Sequence, residues 1–176
     1  MEILIVGIVF VALMVYVSTK IKKSAAQAFE RETVETGYFR LVKPEGFISP
    51  VNEHSEYAFT ARSKNFGENE AREIHQAKIN LKIFSNENFD AGCREIKNWA
   101  DKILSENISA DGLNKQKICL LKTRKTEDEI SFYAFHKIVE SQSQKKIYDL
   151  EILVLEDFRE HYKEQIDEVL NSFTAA

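Results

Sequence analysis

Hydrophobic residues change their spacing along the chain, and each spacing predicts a different element. From Ile3 to Val17 they occupy every face: eleven of these fifteen residues are Leu, Ile, Val or Phe. That pattern predicts a helix inside a bilayer, because a surface helix would be apolar along one stripe only. From Ser24 to about Glu35 strong helix formers follow, with Phe29 the one large apolar residue of the first turns. They predict a helical stalk that ends before Gly37. Tyr38 to Val42 reads as a strand, Lys43-Pro44-Glu45-Gly46 as a turn, and Phe47 to Val51 as a second extended run. Glu56 to Arg62 alternates, with Tyr57, Phe59 and Ala61 on one face. Lys64 to Glu70 is a polar loop around Gly67.

Strict alternation follows. Ala77, Ile79, Leu81 and Ile83 interleave with Lys78, Asn80 and Lys82, which predicts a half-buried strand, with a helix over 70–82 as the rival reading. Asn86 to Glu106 switches to helical spacing, placing Phe89, Cys93, Ile96, Ala100, Ile103 and Leu104 on one stripe beside Trp99. Asn107 to Asn114 reads as a turn-rich connection. Three strands come next, Gln116–Lys122, Ile130–Ser141 and Lys146–Glu156, and their short polar loops favour an antiparallel meander. An amphipathic helix from about Asp157 to Phe173 closes the chain. The order predicts an α+β fold in which an N-terminal transmembrane helix precedes an antiparallel β-sheet covered by two helices. Its domains are an anchor with a basic flank (1–23), a helical stalk (24–36) and one α+β domain (37–176).

The anchor rests on Ile3, Leu4, Phe10, Leu13 and Tyr16, followed by Lys20, Lys22 and Lys23. Its aliphatic residues favour insertion by roughly 3 to 6 kcal/mol. Counted to Thr19, the helix is about 25 Å long, against a hydrocarbon core of about 30 Å; snorkelling lysines and Tyr16 at the headgroups make up the shortfall. The competing readings are a cleaved secretory signal and a buried helix. A signal would need a basic start, whereas only Glu2 stands beside the amino terminus. With every flanking lysine on the C-terminal side, the positive-inside rule places the rest of the chain in the cytoplasm, beneath a bacterial inner membrane. Export of the C-terminal domain is the alternative.

Charge narrows the partners. The chain carries 24 basic and 28 acidic residues, net −4; without Glu2 and the three anchor lysines it is −6. Such a domain lacks the basic stripe that nucleic acid requires. Two cysteines are too few to suggest a disulfide scaffold. Cys93 on an apolar stripe and Cys119 in a strand read as small hydrophobes, and Asp90 and Glu95 would disfavour a thiolate at Cys93. His54, His75, His136 and His161 are scattered, without the converging ligands of a zinc site. A Cys119–His136 pair on neighbouring strands is the one nucleophilic arrangement that alternation permits. Asp149 and Glu151 share a strand face about 7 Å apart and read as the wet side of an edge strand. No cofactor is expected, and no enzyme.

The best sequence-level sign of function is an interaction surface. Lys115, Lys117, Lys122, Arg124 and Lys125 form a basic run free of carboxylates, and Tyr133 and Phe135 share one face of the next strand while Phe132 and Ala134 occupy the other. A strand apolar on both sides has either a covered second face or a binding face.

The Lys43-Pro44-Glu45-Gly46-Phe47 turn between early strands, the meander after the first long helix, and the ending Tyr162-x3-Ile166-x2-Val169-Leu170-x-Ser172-Phe173 together resemble PsbP, the photosystem II extrinsic subunit, and its bacterial relatives, over about residues 38–173. The resemblance implies a non-enzymatic binding or assembly module and brings no catalytic set. It departs in attachment, since many relatives are exported. The expectation is therefore a membrane-tethered interaction module with an unknown protein partner. Two further readings are a carrier of a small apolar ligand, with a pocket under the Phe89–Leu104 stripe, and a cysteine-dependent enzyme.

Overall fold

A computed structural model describes residues 2–50, 56–67, 74–85, 88–111, 116–127 and 129–176, with side chains from Leu13 onward except that of Asp111. Helix α1 runs unbroken from Glu2 to Ala28. Strands β1 (Glu32–Glu35), β2 (Phe39–Lys43), β3 (Phe47–Ile48), β4 (Phe59–Ser63) and β5 (Ala77–Ser85) follow, then helix α2 (Phe89–Trp99). Strands β6 (Lys102–Asp111), β7 (Gln116–Glu127), β8 (Ile130–Ser141) and β9 (Lys146–Leu155) lead through a 3-10 turn (Glu156–Phe158) to α3 (Lys163–Ser172) and β10 (Thr174–Ala175). Two antiparallel sheets result, one in the order β1-β2-β10 and one in the order β3-β4-β5-β9-β8-β7-β6.

Alternation in the strands of the large sheet builds two cores. Ile79, Leu81, Leu150, Ile152 and Val139 face β2 and α3, where they meet Phe39, Leu41, Ile166, Val169 and Phe173. Their sequence neighbours Ile138 and Ile147 point the opposite way and, with Cys119 and Leu121, receive Phe89 and Cys93 of α2. The two helices thus lie on opposite faces of the sheet rather than together on one. This explains the double-sided hydrophobicity of β8: its second face is covered by α2.

Four expectations are corrected. The helical stalk ends at Ala28, and Glu32–Glu35 pairs with β2 as a strand. The expected helix over 86–106 stops at Trp99; its beginning is set by Asn88, whose side chain accepts from the Asp90 N–H at 2.9 Å. From Lys102 to Asp111, where helix and then turn were expected, the chain is β6, paired along β7 with a bulge between Ile103 and Ser105. Ile103 and Leu104 would satisfy a helical stripe equally well, but continuous backbone pairing on β7 outweighs that local preference. The closing helix likewise begins later, after a 3-10 turn. The turn before β3 behaves as read, with Gly46 at φ +85°.

Among the described residues no helix is long and apolar enough to cross a membrane. The anchor residues Ile3, Leu4 and Phe10 carry side chains outside the described residues. Leu13, Tyr16 and Ile21 of α1 stand exposed, so the described part of α1 is not a buried helix of the domain.

Candidate functional site

Alternation splits the basic run between the two faces of the sheet. Lys117 and Lys125 lie on the α2 side, with Lys117 Nζ 5.8 Å from the Phe89 ring centre and Lys125 Nζ 3.4 Å from that of Trp99. Lys117 also pairs with Glu140 at 3.7 Å. Lys122 and Arg124 project to the α3 side together with Tyr133 and Phe135. Lys115 lies outside the described residues. Of the six sequence-predicted surface residues that are described, four therefore share the α3 side and two, Lys117 and Lys125, do not.

Lys122, Tyr133 and Phe135 line a groove of about 390 Å³ running between the β6–β8 end of the sheet and α3, and Arg124 stands next to it on Tyr133. Leu104, Tyr133 and Phe135 give it an apolar floor, and Lys122, Arg159 and Lys163 line it against Glu160 and Asp167. Three cations against two carboxylates make the groove net positive on a chain that is net negative. Arg124 and Arg159 place their guanidinium carbons 5.2 Å and 4.9 Å from the Tyr133 ring centre, and Arg124 also donates to the Tyr133 hydroxyl at 3.0 Å. Glu156 holds Arg124, and Glu160 holds Arg159. A tyrosine held by two neighbouring guanidiniums presents a rigid aromatic surface at little entropic cost. Leu104 and Leu120 are each 40% exposed on this side, so the apolar surface continues beyond α3. Leu104 reaches the groove because of the β6 bulge, which periodicity alone could not reveal.

The opposite face holds a polar constellation that the sequence reading left apart. Register places Thr60, Asn80, Glu151 and His136 in one row across β4, β5, β9 and β8. Thr60 Oγ1 donates to Asn80 Oδ1 at 3.1 Å, and Asn80 Nδ2 donates to Glu151 Oε2 at 2.8 Å. In the next row Lys82 stands opposite Asp149, whose Oδ1 lies 3.2 Å from His136 Nδ1. Burial pushes the His136 imidazole down, yet the Asp149 hydrogen bond and the charges of Asp149 and Glu151 outweigh it and leave its pKa raised. Its Nε2 is buried without a partner. Asp149 and Glu151 do share a face, as read, but β9 is an interior strand and not an edge. The signal that could have found this row was the pairing of two alternating polar faces, Asn80/Lys82 and Asp149/Glu151; the missing piece was register.

The other candidates resolve into structure. Cys119 lies on the same face as His136 but opposite Ile138, and its thiol interacts with Cys93 rather than with an imidazole. Burial, reinforced by Cys119, pushes the Cys93 thiol up to about 12, and burial raises Cys119 as well; neither is a thiolate at neutral pH. His75 binds the Ser63 carbonyl at 2.6 Å through Nδ1, and His161 packs against Tyr162. His54 lies outside the described residues. Among the described residues no three His, Cys, Asp or Glu side chains are placed to hold a metal ion. The pocket expected under the Phe89–Leu104 stripe is half present: Phe89 and Cys93 are packed, and a cleft of about 270 Å³ opens on the Gly92, Ile96 and Trp99 flank of α2.

No family model matches the sequence, and neither does any curated protein. Solved structures do match the fold. The solution structure of cyanobacterial PsbP (CyanoP) from Synechocystis sp. PCC 6803 superposes with a TM-score of 0.54 at 15% identity, over 84% of this chain and 92% of that one. LpqN of Mycobacterium tuberculosis, described as involved in cell envelope biogenesis, gives 0.58 at 12% identity over 84% and 91%. The Saccharomyces cerevisiae Ran-binding protein Mog1p gives 0.53 at 13% identity over 83% and 95%. Nearly the whole of each relative is covered by nearly the whole of the domain described above, and on that likeness the chain has the PsbP/Mog1 fold.

Proposed function

We propose that the chain is a non-enzymatic interaction module, tethered to a membrane by its N-terminal helix, whose α3-side groove docks a protein partner presenting apolar and acidic side chains. The observation that carries this reading is Tyr133, with the guanidiniums of both Arg124 and Arg159 at its ring, in one groove with the exposed Leu104. Rigid aromatic and arginine anchors beside exposed aliphatic surface are the usual composition of a binding hot spot. The net positive lining selects acidic partners and speeds their encounter. The fold likeness supports the same direction, since Mog1p is a Ran-binding protein, and among the described residues both thiols, His75 and His161 are engaged in structure.

Tethering rests on the apolar run of α1, whose helix of 27 residues extends about 40 Å at ~1.5 Å per residue. A tether raises local concentration enough for weak contacts to suffice. Lys20, Lys22 and Lys23 orient the domain to the cytoplasm. A Ser143→Cys variant in a Cys-free background tests this: protection from an impermeant thiol reagent until the membrane is broken supports it, and labelling of intact cells reverses the orientation and favours export.

Docking is tested with the full chain and a Lys122→Glu/Tyr133→Ala variant, both checked for folding by circular dichroism, used as baits in native membrane extracts. A partner retained by the first and reduced about tenfold or more by the second supports the groove. Equal retention by both places the docking surface elsewhere.

A further inference from the structure

The two edges of the large sheet differ. At one end β3 is two residues long; its Phe47 ring packs edge-on against Tyr162 at 5.8 Å, and the Phe47 carbonyl accepts from Lys43 at 3.2 Å. At the other end β6 runs ten residues and, among the described residues, pairs only with β7. Residues 102–110 are all exposed, Ile103 at 44% and Ile108 at 56%. A bare edge offers a row of backbone donors and acceptors to another strand, and proteins ordinarily shorten, cover or interrupt such a row. β6 contains no proline, and its pairing is interrupted only by the bulge at Leu104, near its start.

The order of residues along β6 suits one occupant, a second copy of itself. The bulge breaks the alternation of β6, so a regular strand on its outer side must skip Leu104 as β7 does. Nine positions remain, those that pair with β7, and Asn107 is their centre. A two-fold axis through Asn107, perpendicular to the sheet, therefore pairs the whole strand antiparallel with its copy. Asn107 meets Asn107, Ser105 meets Ser109, Ile103 meets Ala110, and at both ends Lys102 stands level with Asp111, a residue of opposite charge. Glu106, held by Lys97 of α2, falls opposite Ile108 rather than opposite its own copy. An axis through Glu106 would oppose two carboxylates, and one through Ile108 would carry Lys102 past the end of the facing strand. On the α2 side the pairing covers the exposed Ile103 and Ile108. The same axis turns both α3 faces one way. β2, which holds the end of α1 through Lys43, lies on that face, so two chains tethered as proposed above would leave from one side, as a shared membrane requires.

We propose that β6 is a self-association edge, at which two copies of the chain pair antiparallel about Asn107 and join their seven-stranded sheets into one. The pairing goes beyond the docking groove and does not depend on it: Leu104, left out of the pairing, stays in the groove, and Asn107 is not part of the groove lining.

Asn107 is exposed, so substitutions there leave the core untouched. In the paired dimer the Cα atoms of the two 107 positions lie about 4.5 to 5.5 Å apart, within the range of a disulfide. Each 105 position lies about 14 Å along the strand from its own copy. The test oxidises the full chain in detergent micelles with copper phenanthroline. Asn107→Cys alone, and a mixture of Ser105→Cys with Ser109→Cys, are expected to give disulfide-linked dimers. Wild type, whose two thiols are buried, and Ser105→Cys alone are expected to give at least tenfold less. In sedimentation equilibrium Asn107→Lys, which opposes two cations at the axis, is expected to weaken the dimer at least tenfold, and mixing it with Asn107→Glu to restore it. A monomer at every concentration overturns the proposal and leaves the edge to a strand of another protein. Equal crosslinking from Ser105→Cys alone, or a dimer unaffected by Asn107→Lys, overturns it as well.

Discussion

Two lysines close the C-terminal ends of two helices. Lys43, buried to 2% exposure, donates to the Ala28 carbonyl at the end of α1 at 2.7 Å and to the Phe47 carbonyl at 3.2 Å, with Glu32 3.6 Å away. Lys137 donates to the Leu170 and Phe173 carbonyls at the end of α3 at 2.7 and 2.9 Å, and burial lowers its pKa. Both positions use a cation where the helix dipole is negative and the last carbonyls lack partners. Lys43→Met, which keeps the length and removes the donor, is expected to destabilise by about 1 to 3 kcal/mol in urea unfolding, the cost of leaving buried acceptors unpaired. His136 makes stability depend on pH. The groups facing it are Asp149 and Glu151 from β9, Lys82 from β5, Glu95 from α2 and the protonated Cys119 from β7. Its folded pKa lies above the ordinary 6.5, so its stabilising contribution is complete below that value and is lost as pH rises through the folded pKa. Unfolding midpoints of wild type and His136→Gln should therefore differ more at about pH 5.5 than at about pH 8.5. A constant difference would mean that His136 acts through packing alone. The two thiols should stay inert to a thiol reagent until the chain unfolds; reaction of the native protein at neutral pH would contradict their burial.

At the scale of elements, the meander β7–β8–β9 turns on tight connections, and two of its turn residues hold left-handed backbone: Glu129 at φ 68° and Lys145 at φ 52°. Lys145→Asn suits that conformation better and is expected to raise stability by a few tenths to about 1 kcal/mol in the same urea assay. Elements with strict alternation were legible: Ala77, Ile79 and Leu81 face the core as their spacing required, and the strands of the meander lie within a few residues of where the sequence placed them. What escaped was decided by partners distant in sequence. Ile103 and Leu104 fit a helical stripe, and only the pairing of β6 with β7 turns them into a strand. Tyr133 and Phe135 were readable as a surface because β8 is apolar on both sides, whereas Arg159 and Lys163, their neighbours in the groove, lie a strand and a turn away. The His136 row was invisible for the same reason, since one residue of register slip would have turned every member to the other face.

For the whole molecule, the end of α1 is joined to the domain by Lys43 and by the Gly46 N–H, which donates to the Phe29 carbonyl at 2.8 Å. Under the tethering proposed above, this joint would present the domain in a restricted orientation, adding to the gain in local concentration. The two faces of the large sheet differ in charge, with a net positive groove beside α3 and a more acidic cleft beside α2. The central claim concerns the groove, and its most direct test is site-specific photo-crosslinking of the full-length chain in cells. A benzoyl-phenylalanine at Leu104, in the groove, is compared with one at Asn98, on the exposed side of α2. The account predicts one discrete adduct from position 104, absent from position 98 and lost when Lys122→Glu is added. An adduct from position 98 alone, or one from 104 that survives the charge reversal, would contradict it.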